Sequence, residues 1–331
     1  MPSYSCGFIA SSTMDDEELA SAGAALAAGG WGFNAFVRAC DGTLTIDARR
    51  IGCATFVVRD VGLRGAVCVA CARDYAVVCD GARVARVFVV DGSEATLTWI
   101  DIPQGVGAVV ELGINDDNCM YARDDAGKVW VFDMEDVSGS ARALSVAAPA
   151  RRVAVGSKHA VIVTETGAVY GMGWNLYGTL GLGHCEDVDS PTLIRSLERA
   201  DVDVVDACCG SNFTILLSST GDAYACGSNA DGALGLGPNA PPSTSTPTLI
   251  DVPDDVSWRR LRCGASHVVA TSTSGALYLW GSNAHGQCDA DATTHPIVYA
   301  PTRARSFAEH PSYVVVGRWH ATAVVGNRPI P

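Results

Sequence analysis

Short apolar runs that end at glycine-containing turns recur along the chain. In the clearest case an apolar run enters Gly156, a second run starts at His159, and a turn at Thr166-Gly167 reverses the chain. A third run, which contains Tyr170, then ends at Gly173. Apolar runs this short, separated by turn residues, predict antiparallel β-strands joined by tight turns.

This pattern occurs three times at a fixed interval. The glycine before the second run recurs every 54 residues, and so does the glycine that ends the third run. Two landmarks that keep one interval indicate a duplicated unit. The matching positions are Gly156, Gly210 and Gly264; Gly173, Gly227 and Gly281; a ring at His159, Phe213 and His267; and Asn175, Asn229 and Asn283.

Further copies of the unit lie on both sides of the clear ones. One begins at Gly317, continues through His320 and stops after one strand, and weaker copies begin near residues 30, 72 and 116. A fourth strand is predicted in each clear unit, at 190–194, 246–250 and 300–302. Four strands in a repeat of 40–54 residues are typical of one blade of a β-propeller.

Counting the units predicts seven blades. Six begin near residues 30, 72, 116, 156, 210 and 264, and residues 4–7 resemble 224–227 closely enough to complete the half unit that starts at Gly317. We therefore predict an all-β fold, a seven-bladed β-propeller of four-stranded blades whose N- and C-terminal segments pair in one blade. Residues 1–331 then form one domain, with clear repeats over 151–325 and degenerate blades over 1–150. This closure would remove the open sheet edges.

Composition narrows the classes of function. Hydrophobic residues make up 48% of the chain and charged residues 18%, which is typical of a globular protein. The net charge of −13 argues against DNA binding, because DNA binding requires a basic surface. We interpret the acidic clusters at 116–117, 124–125 and 133–136 as solubility charge. The alternative is a surface that steers a basic partner, such as a histone tail.

Neither a membrane segment nor a metal site is expected. Residues 19–37 carry no charge, but their Ala and Gly content predicts a short Ala-rich helix or loop rather than a membrane span. Thirteen cysteines without a secretory signal predict reduced thiols in a cytoplasmic or nuclear protein. Cys68 and Cys71 form a single CxxC, and residues three apart in a strand point to opposite faces. We expect no cofactor.

The repeated motif resembles that of the regulator of chromosome condensation family. Its consensus here is Gly-x-x-His, then Thr-Gly, then Tyr-x-x-Gly-x-Asn-x-x-Gly-x-Leu-Gly, and 173–181 and 227–235 match the second half well. The third copy departs at its end, where Cys288-Asp289 replaces Leu-Gly. The resemblance covers about 151–325 and also implies a seven-bladed propeller.

The resemblance implies two kinds of activity. The founding member of the family is a guanine-nucleotide exchange factor for a small nuclear GTPase and docks on nucleosomes, whereas many relatives are binding scaffolds. This chain lacks the founder's basic N-terminal tail and wedge-like hairpin. It is more similar to the short stand-alone members of the domain-containing protein 1 type, which is associated with a histone demethylase.

We interpret the repeated residues as structural. Because Phe213 shares the position of His159, His267 and His320, we expect this position to be structural rather than catalytic or metal-binding. A polar ring there can form a hydrogen bond to the backbone of the neighbouring blade. The asparagines are expected to cap turns, and the glycines on either side of them to supply positive φ. Candidate partner contacts lie in the loops after the third strands, at Trp174, Tyr177, Asp231 and His285. For Trp174 the alternative is packing on the next blade.

No catalytic motif is present in the sequence. We therefore expect a non-enzymatic, monomeric propeller scaffold that binds a protein partner through its rim loops, either a small GTPase or a chromatin- or histone-modifying protein. The alternative is a guanine-nucleotide exchange factor for a small GTPase, because exchange requires no acid–base chemistry. A third hypothesis is direct binding to histones without DNA.

Overall fold

The computed structural model describes most of the chain beyond residue 67 and separate strands before it. The described residues are 9–10, 24–29, 33–38, 44–48, 56–58, 68–71, 75–80, 83–90, 94–102, 105–134, 141–252, 256–305, 313–318 and 321–324. Within these ranges, no helix has the length and apolar character that crossing a membrane requires.

The first three sheets each contain four antiparallel strands that follow chain order. Their strands are β2 (Ala24–Gly29), β3 (Phe33–Arg38), β4 (Leu44–Ala48) and β5 (Phe56–Val58); β6 (Cys68–Cys71), β7 (Tyr75–Cys79), β8 (Arg83–Val90) and β9 (Glu94–Asp101); and β10 (Val109–Ile114), β11 (Cys119–Asp124), β12 (Val129–Asp133) and β13 (Arg142–Leu144).

The next three sheets repeat this order within the clear units. Their strands are β14 (Ala150–Val155), β15 (His159–Thr164), β16 (Val169–Gly173) and β17 (Val188–Leu193); β18 (Val204–Cys209), β19 (Phe213–Ser218), β20 (Ala223–Ser228) and β21 (Ser243–Leu249); and β22 (Trp258–Cys263), β23 (His267–Ser272), β24 (Leu277–Ser282) and β25 (Ile297–Arg303). One short helix, α1 (Arg195–Arg199), lies between β17 and β18.

The last sheet brings together strands from the two ends of the chain. It consists of β26 (Tyr313–Val316), β27 (Ala321–Val324) and β1 (Ile9–Ala10). β1 runs parallel to β27, with Ile9 opposite Thr322, whereas the predicted blade would place an antiparallel strand there. Residues 4–7 and His320, on which the predicted closure was based, lie outside the described residues. Seven blades and ring closure therefore remain predictions.

The Ala-rich segment near the N-terminus is not helical where the structure describes it, so this expectation was wrong. Ala24–Gly29 and Phe33–Arg38 pair as antiparallel strands, with Ala24 opposite Arg38. Alanine favours helix only weakly, and pairing in a sheet overrides that preference.

The core of each clear unit lies around its second strand. Every residue of β15 and of β19 is buried. A strand that is covered on both faces needs no alternation of polar and apolar residues, which explains the continuous apolar runs in the sequence. The outermost strands are more exposed, and each contains a proline at Pro191, Pro247 or Pro301. Proline cannot donate a backbone hydrogen bond, so it discourages further strand pairing at an edge.

The degenerate unit near residue 116 contains one additional residue. Asn115 N–H donates to the carbonyl of Cys119, four positions later. The equivalent bond in the clear unit runs from Gly156 N–H to the carbonyl of His159, three positions later. The position equivalent to Gly156 is therefore Asn115. Its side-chain Oδ1 accepts hydrogen bonds from the backbone N–H groups of Asp117 and Cys119. An asparagine-capped turn thus replaces the glycine turn here.

Candidate functional site

The rings of the repeat pack directly on the first glycine of each clear unit. A Cβ on Gly156 would lie 2.2 Å from Cε1 of His159, and one on Gly210 would lie 2.0 Å from Cε1 of Phe213. Gly264 meets His267 in the same way, at 2.1 Å. None of these three glycines has a positive φ. They are required because the ring occupies the space that a side chain would need.

The glycines that end the third strands have the conformation that we expected. Gly173, Gly227 and Gly281 have φ values of 102°, 110° and 103°. L-residues with a side chain rarely adopt these angles. A Cβ on Gly173 would also approach the Lys158 carbonyl oxygen to 2.5 Å.

His159 joins two neighbouring sheets from a fully buried position. Its Nε2 lies 3.0 Å from Oγ1 of Thr214 in β19, so its partner is a side-chain hydroxyl of the next unit. Burial lowers the pKa of His159 from 6.5 to about 4, and a hydrogen bond that the ring donates to the backbone of Phe213 opposes this shift. The ring is therefore neutral at physiological pH. His267 is buried at the equivalent position of β23, and His320 lies outside the described residues.

The repeated asparagines organise the loops that follow the third strands. Asn175 is fully buried. Its Oδ1 accepts a hydrogen bond from Leu180 N–H at 2.9 Å, and its Nδ2 donates to the carbonyls of His184 and Glu186. The loop is thus held at both ends by one side chain.

The equivalent asparagines bind their loops in the same way. Asn229 accepts from Leu234 N–H and donates to the Pro241 carbonyl. Asn283 accepts from Cys288 N–H at 2.8 Å, although Cys288 stands where the other units have leucine. The side chains of Leu180, Leu234 and Cys288 are all buried.

The loops 174–187, 229–242 and 283–296 lie at the same ends of their sheets, and we call the surface that they form the loop face. Each loop is attached to the turn between the first two strands of its own sheet, for example through Trp174 N–H to the Lys158 carbonyl at 3.0 Å. The equivalent bonds join Ser228 to Asn212 and Ser282 to Ser266.

The candidate contacts Trp174 and Tyr177 lie together on the loop face. Their rings meet edge to face, with centroids 5.4 Å apart. Tyr177 is 39% exposed and its neighbour Leu176 is 57% exposed. The ring contact of the half-buried Trp174 is thus within its own loop. Leu176 was not among the contacts predicted from the sequence.

The other two candidates lie in the equivalent loops of the next two sheets. Asp231 is exposed, and His285 is half-buried with its backbone N–H bonded to Oε1 of Gln287 at 2.9 Å. The structure therefore places all four candidates on one face, in three separate loops.

A depression of about 120 Å³ lies at the inner edge of the loop face. Nη1 of Arg318 lies 2.9 Å from both carboxylate oxygens of Asp116, so this ion pair joins the third sheet to the seventh. Backbone bonds follow the rim from sheet to sheet, including Ser211 N–H to the Ala265 carbonyl and Ala265 N–H to the Arg318 carbonyl. The depression is lined by Gly156, Gly210, Gly264 and Gly317, among others.

Sequence reasoning missed a ladder of alternating charges on the innermost strands. Glu111, Arg152 and Asp206 occupy equivalent positions, each directly after a register shift. Arg152 lies 2.8 Å from Glu111 and 2.8 Å from Asp206, and Arg123 and Arg262 extend the ladder at 3.0 and 3.6 Å. Burial lowers the pKa of the Arg152 guanidinium, but the negative charges of Asp206 and Glu111 have the larger combined effect, so the pKa is raised.

One acidic cluster contains a structural residue rather than a solubility charge. Asp124 is 3% exposed and accepts a hydrogen bond from Nε1 of Trp130 at 2.9 Å. It also caps its turn through the backbone N–H groups of Ala126 and Lys128. Burial favours its neutral form, but these hydrogen bonds prevail and lower the pKa of Asp124. Asp125 and Asp133 are exposed.

We found no constellation typical of metal binding in the part of the chain that the structure describes: no three His, Cys, Asp or Glu side chains come together there as metal ligands would. Cys68 lies opposite Cys79 in the neighbouring strand. A hydrogen bond with Cys79 and burial together raise the pKa of the Cys68 thiol. Burial also raises the pKa of Cys226 to about 12. Such thiols are poor nucleophiles and metal ligands.

Comparison with known protein families identifies the repeat. The model of the regulator of chromosome condensation (RCC1) repeat matches residues 166–217 and 220–271. A second model with the same description matches 150–179 and 204–233. These matches cover the first two clear units and the first half of the third, and they end before Gly281 and Asn283.

Curated relatives match part of the chain. The X-linked retinitis pigmentosa GTPase regulator of Mus musculus is 36% identical over 132 residues, which are 40% of this chain and 13% of that protein. The secretion-regulating guanine nucleotide exchange factor of Bos taurus is 35% identical over 132 residues, 40% of this chain and 28% of that protein. The chain thus spans less than a third of either relative.

The fold as a whole is similar to solved structures. The crystal structure of human WBSCR16 superposes with a TM-score of 0.73 at 21% identity, covering 92% of this chain and 87% of that chain. At this identity the likeness concerns the fold alone. The family-model matches identify regulator of chromosome condensation repeats within residues 150–217 and 220–271 of this all-β chain.

Proposed function

We propose that this protein is a non-enzymatic propeller scaffold that binds a protein partner through the loop face. The observation that carries this proposal is the apolar patch of Leu176 and Tyr177, which is exposed on a loop that Asn175 holds in place. Binding energy concentrates in a few aromatic and apolar contacts. A loop that is already ordered loses little conformational entropy on binding.

The partner that we favour is a small GTPase or a chromatin- or histone-modifying protein. The names of the two curated relatives, a GTPase regulator and a guanine nucleotide exchange factor, support the first class. The net charge of −13 and the exposed carboxylates of Glu186 and Asp231 on the loop face support a partner with a basic surface.

We further propose that the chain is one domain, 1–331, closed into a seven-bladed ring. Support comes from the seven hydrogen-bonded sheets and from the pairing of β1 with β27. Closure of the ring would fix the positions of the three loops of the loop face relative to one another.

A paired affinity experiment tests the scaffold proposal. The full chain and its Leu176→Ser/Tyr177→Ser variant are used to capture proteins from an extract of the source organism, with and without EDTA. We expect at least one stoichiometric partner that the wild-type chain retains and the variant loses.

The matched control is Leu249→Ser, which removes an apolar side chain that is 46% exposed on the outer strand β21. This variant should keep the partner. Equal capture by all three proteins, or no stoichiometric partner for the wild type, would count against binding through the loop face.

The second candidate function is guanine-nucleotide exchange on a small GTPase. The similarity to the bovine exchange factor favours it. Exchange factors hold their GTPase most tightly without nucleotide and magnesium, so a GTPase captured only with EDTA would support exchange. Accelerated GDP release from a panel of small GTPases is the direct measurement, and no acceleration at micromolar protein would exclude exchange on the GTPases tested.

A further inference from the structure

A second cavity lies at the opposite ends of the strands from the loop face. Its volume is about 250 Å³, and we call it the α1 pocket. On one side it is bounded by the turn at 166–168, which joins β15 to β16. On the other it is bounded by α1 and residues 201–203, which lead into β18.

The connection that forms this pocket is firmly attached. Ile194 and Leu197 are buried, and Val202 N–H donates to the Leu197 carbonyl at 3.1 Å. Asp201 adopts a positive φ of 55°, which turns the chain out of the helix. Ser219 N–H then binds the Asp203 carbonyl at 2.8 Å. The pocket is therefore part of the ordered connection between two sheets.

The lining divides into an apolar floor and an acidic rim. Leu193, Ile194 and Leu197 contribute apolar side chains, and Glu198, Asp201 and Asp203 contribute carboxylates. The Asp203 carboxylate lies over Gly167, because a Cβ on that glycine would be 2.0 Å from its Oδ1.

The carboxylates of the rim are exposed, and no Lys, Arg or His among the described residues forms an ion pair with them. Arg195 and Arg199 lie on the same helix but do not line the pocket. Three uncompensated carboxylates above an apolar floor favour a ligand that is apolar along its length and cationic at its end.

We propose that the α1 pocket receives the side chain of a lysine or arginine from a partner protein. The aliphatic stem of the residue would lie against Leu193 and Leu197, and its cation would meet Glu198, Asp201 and Asp203. The volume fits one side chain better than a drug-sized ligand, whose sites typically occupy about 300–1,000 Å³. This surface is separate from the loop face, so the proposal does not depend on binding there.

Methyl NMR of the full chain tests this proposal. The chain is labelled at Ile, Leu and Val methyl groups and titrated with Nα-acetyl-lysine N-methylamide. The neutral norleucine analogue, which keeps the aliphatic stem, is titrated in parallel. We expect saturable shifts of the Ile194 and Leu197 methyls with the lysine probe, and at least threefold weaker binding of the norleucine probe.

A charge-neutral variant isolates the rim. Asp201→Asn/Asp203→Asn should weaken lysine binding at least threefold and leave norleucine binding unchanged. The matched control is Asp189→Asn, an exposed carboxylate near the other end of β17, and it should bind like the wild type. The far-ultraviolet circular dichroism of each variant verifies that it is folded.

Three results would overturn the proposal. They are the absence of saturable shifts at Ile194 and Leu197, equal binding of the two probes, and lysine binding that the double variant leaves unchanged. None of these results depends on whether Leu176 and Tyr177 bind a partner, so the two proposals can fail independently.

Discussion

The ring of each repeat and the glycine beneath it form one structural unit. In the three clear units the ring begins the second strand and fills the space that a side chain on the glycine would need. His159 also forms a hydrogen bond to Thr214 of the next sheet. Phe213, at the equivalent position, cannot form such a bond because its side chain has no polar atom. Packing is therefore the shared role, and the hydrogen bond is specific to histidine.

Substitution of this histidine should change how stability depends on pH. The pKa of His159 is about 4 when folded and 6.5 when unfolded, so the unfolded state binds more protons between these values. Its contribution to stability is complete above pH 6.5 and decreases as the pH falls towards 4. We expect the protonation of His159 in the unfolded state to lower the free energy of unfolding by about 2 kcal/mol when the pH falls from 7.5 to 5.

His159→Phe should lack that component, because Phe213 shows that the position accepts a phenyl ring. Urea unfolding of both proteins at pH 7.5 and pH 5 measures the difference. Other titrating groups are common to the two proteins and cancel in the comparison. An identical loss of stability on acidification would show that His159 does not titrate in this way.

Asp124 should contribute to stability through the Trp130 indole. Asp124→Ser keeps a hydroxyl in the turn, as Ser218 and Ser272 do at the equivalent positions, but removes the acceptor of Trp130 Nε1. We expect a loss of about 1–3 kcal/mol, the usual cost of a buried donor without a partner. Urea unfolding checks this value, with Asp125→Ser as an exposed control that should change stability little.

Between elements, the ladder of charges connects the innermost strands of successive sheets. Each member is half-buried, and Arg152 contacts a carboxylate of the sheet before it and of the sheet after it. Loss of a partly buried ion costs more than loss of a surface ion, because its partners remain desolvated. The ladder should therefore stabilise the contact between sheets.

Two adjacent arginines allow a matched test of this role. Arg152→Met should leave Glu111 paired with Arg123 alone and Asp206 paired with Arg262 alone, and it should cost roughly 1–3 kcal/mol. Arg151→Met removes an ion pair with the exposed carboxylate of Glu165 and a hydrogen bond to the Glu165 carbonyl, and it should cost at most about 1 kcal/mol. Urea unfolding of both variants at low salt measures the two costs, and equal costs would contradict a role for the ladder.

At the scale of the whole molecule, the pairing of β1 with β27 would decide whether the ring is closed. Closure removes two open sheet edges and makes the sheets unfold together. The described contact consists of two residue pairs, Ile9 with Thr322 and Ala10 with Ala323.

A cross-link between the two strands tests this closure. Ala10→Cys combined with Ala323→Cys should form a disulfide under mild oxidation, which peptide mapping would distinguish from pairs of the native cysteines. Because the bond closes a very long loop, we expect stabilisation on the order of 3 kcal/mol and a higher midpoint of thermal unfolding. Single-cysteine variants are the controls, and failure of the double variant to cross-link while folded would argue against the closed ring.

Much of the fold could be predicted because the repeat is visible in the sequence. The strands of the clear units lie where the apolar runs predicted them, and the fourth strand of each unit includes most of the predicted residues. Prediction was weaker where the landmarks are lost. At Asn115 an additional residue and a different capping side chain replace the glycine turn, and no fixed interval marks such a change.

The sequence allowed the candidate contacts to be assigned to one surface, but it did not allow them to be ranked by how exposed their side chains are. The repeat placed Trp174, Tyr177, Asp231 and His285 in equivalent loops, and the structure places these loops on one face. Which side chains are exposed depends on the packing of each loop. Leu176 is the most exposed of the large hydrophobic side chains that the structure describes, although nothing in its sequence position distinguishes it.

The sequence by itself determined the repeating unit, because its turns and buried strands depend on residues within one unit. It also determined the all-β class and the positions of the glycines, rings and asparagines. Only the tertiary structure decided how units meet: the bond from His159 to Thr214, the charge ladder and the carboxylates of the α1 pocket. The contacts between units join residues 41 to 56 positions apart, and the α1 pocket forms where a connection folds onto a turn. Their partners are therefore set by packing in three dimensions.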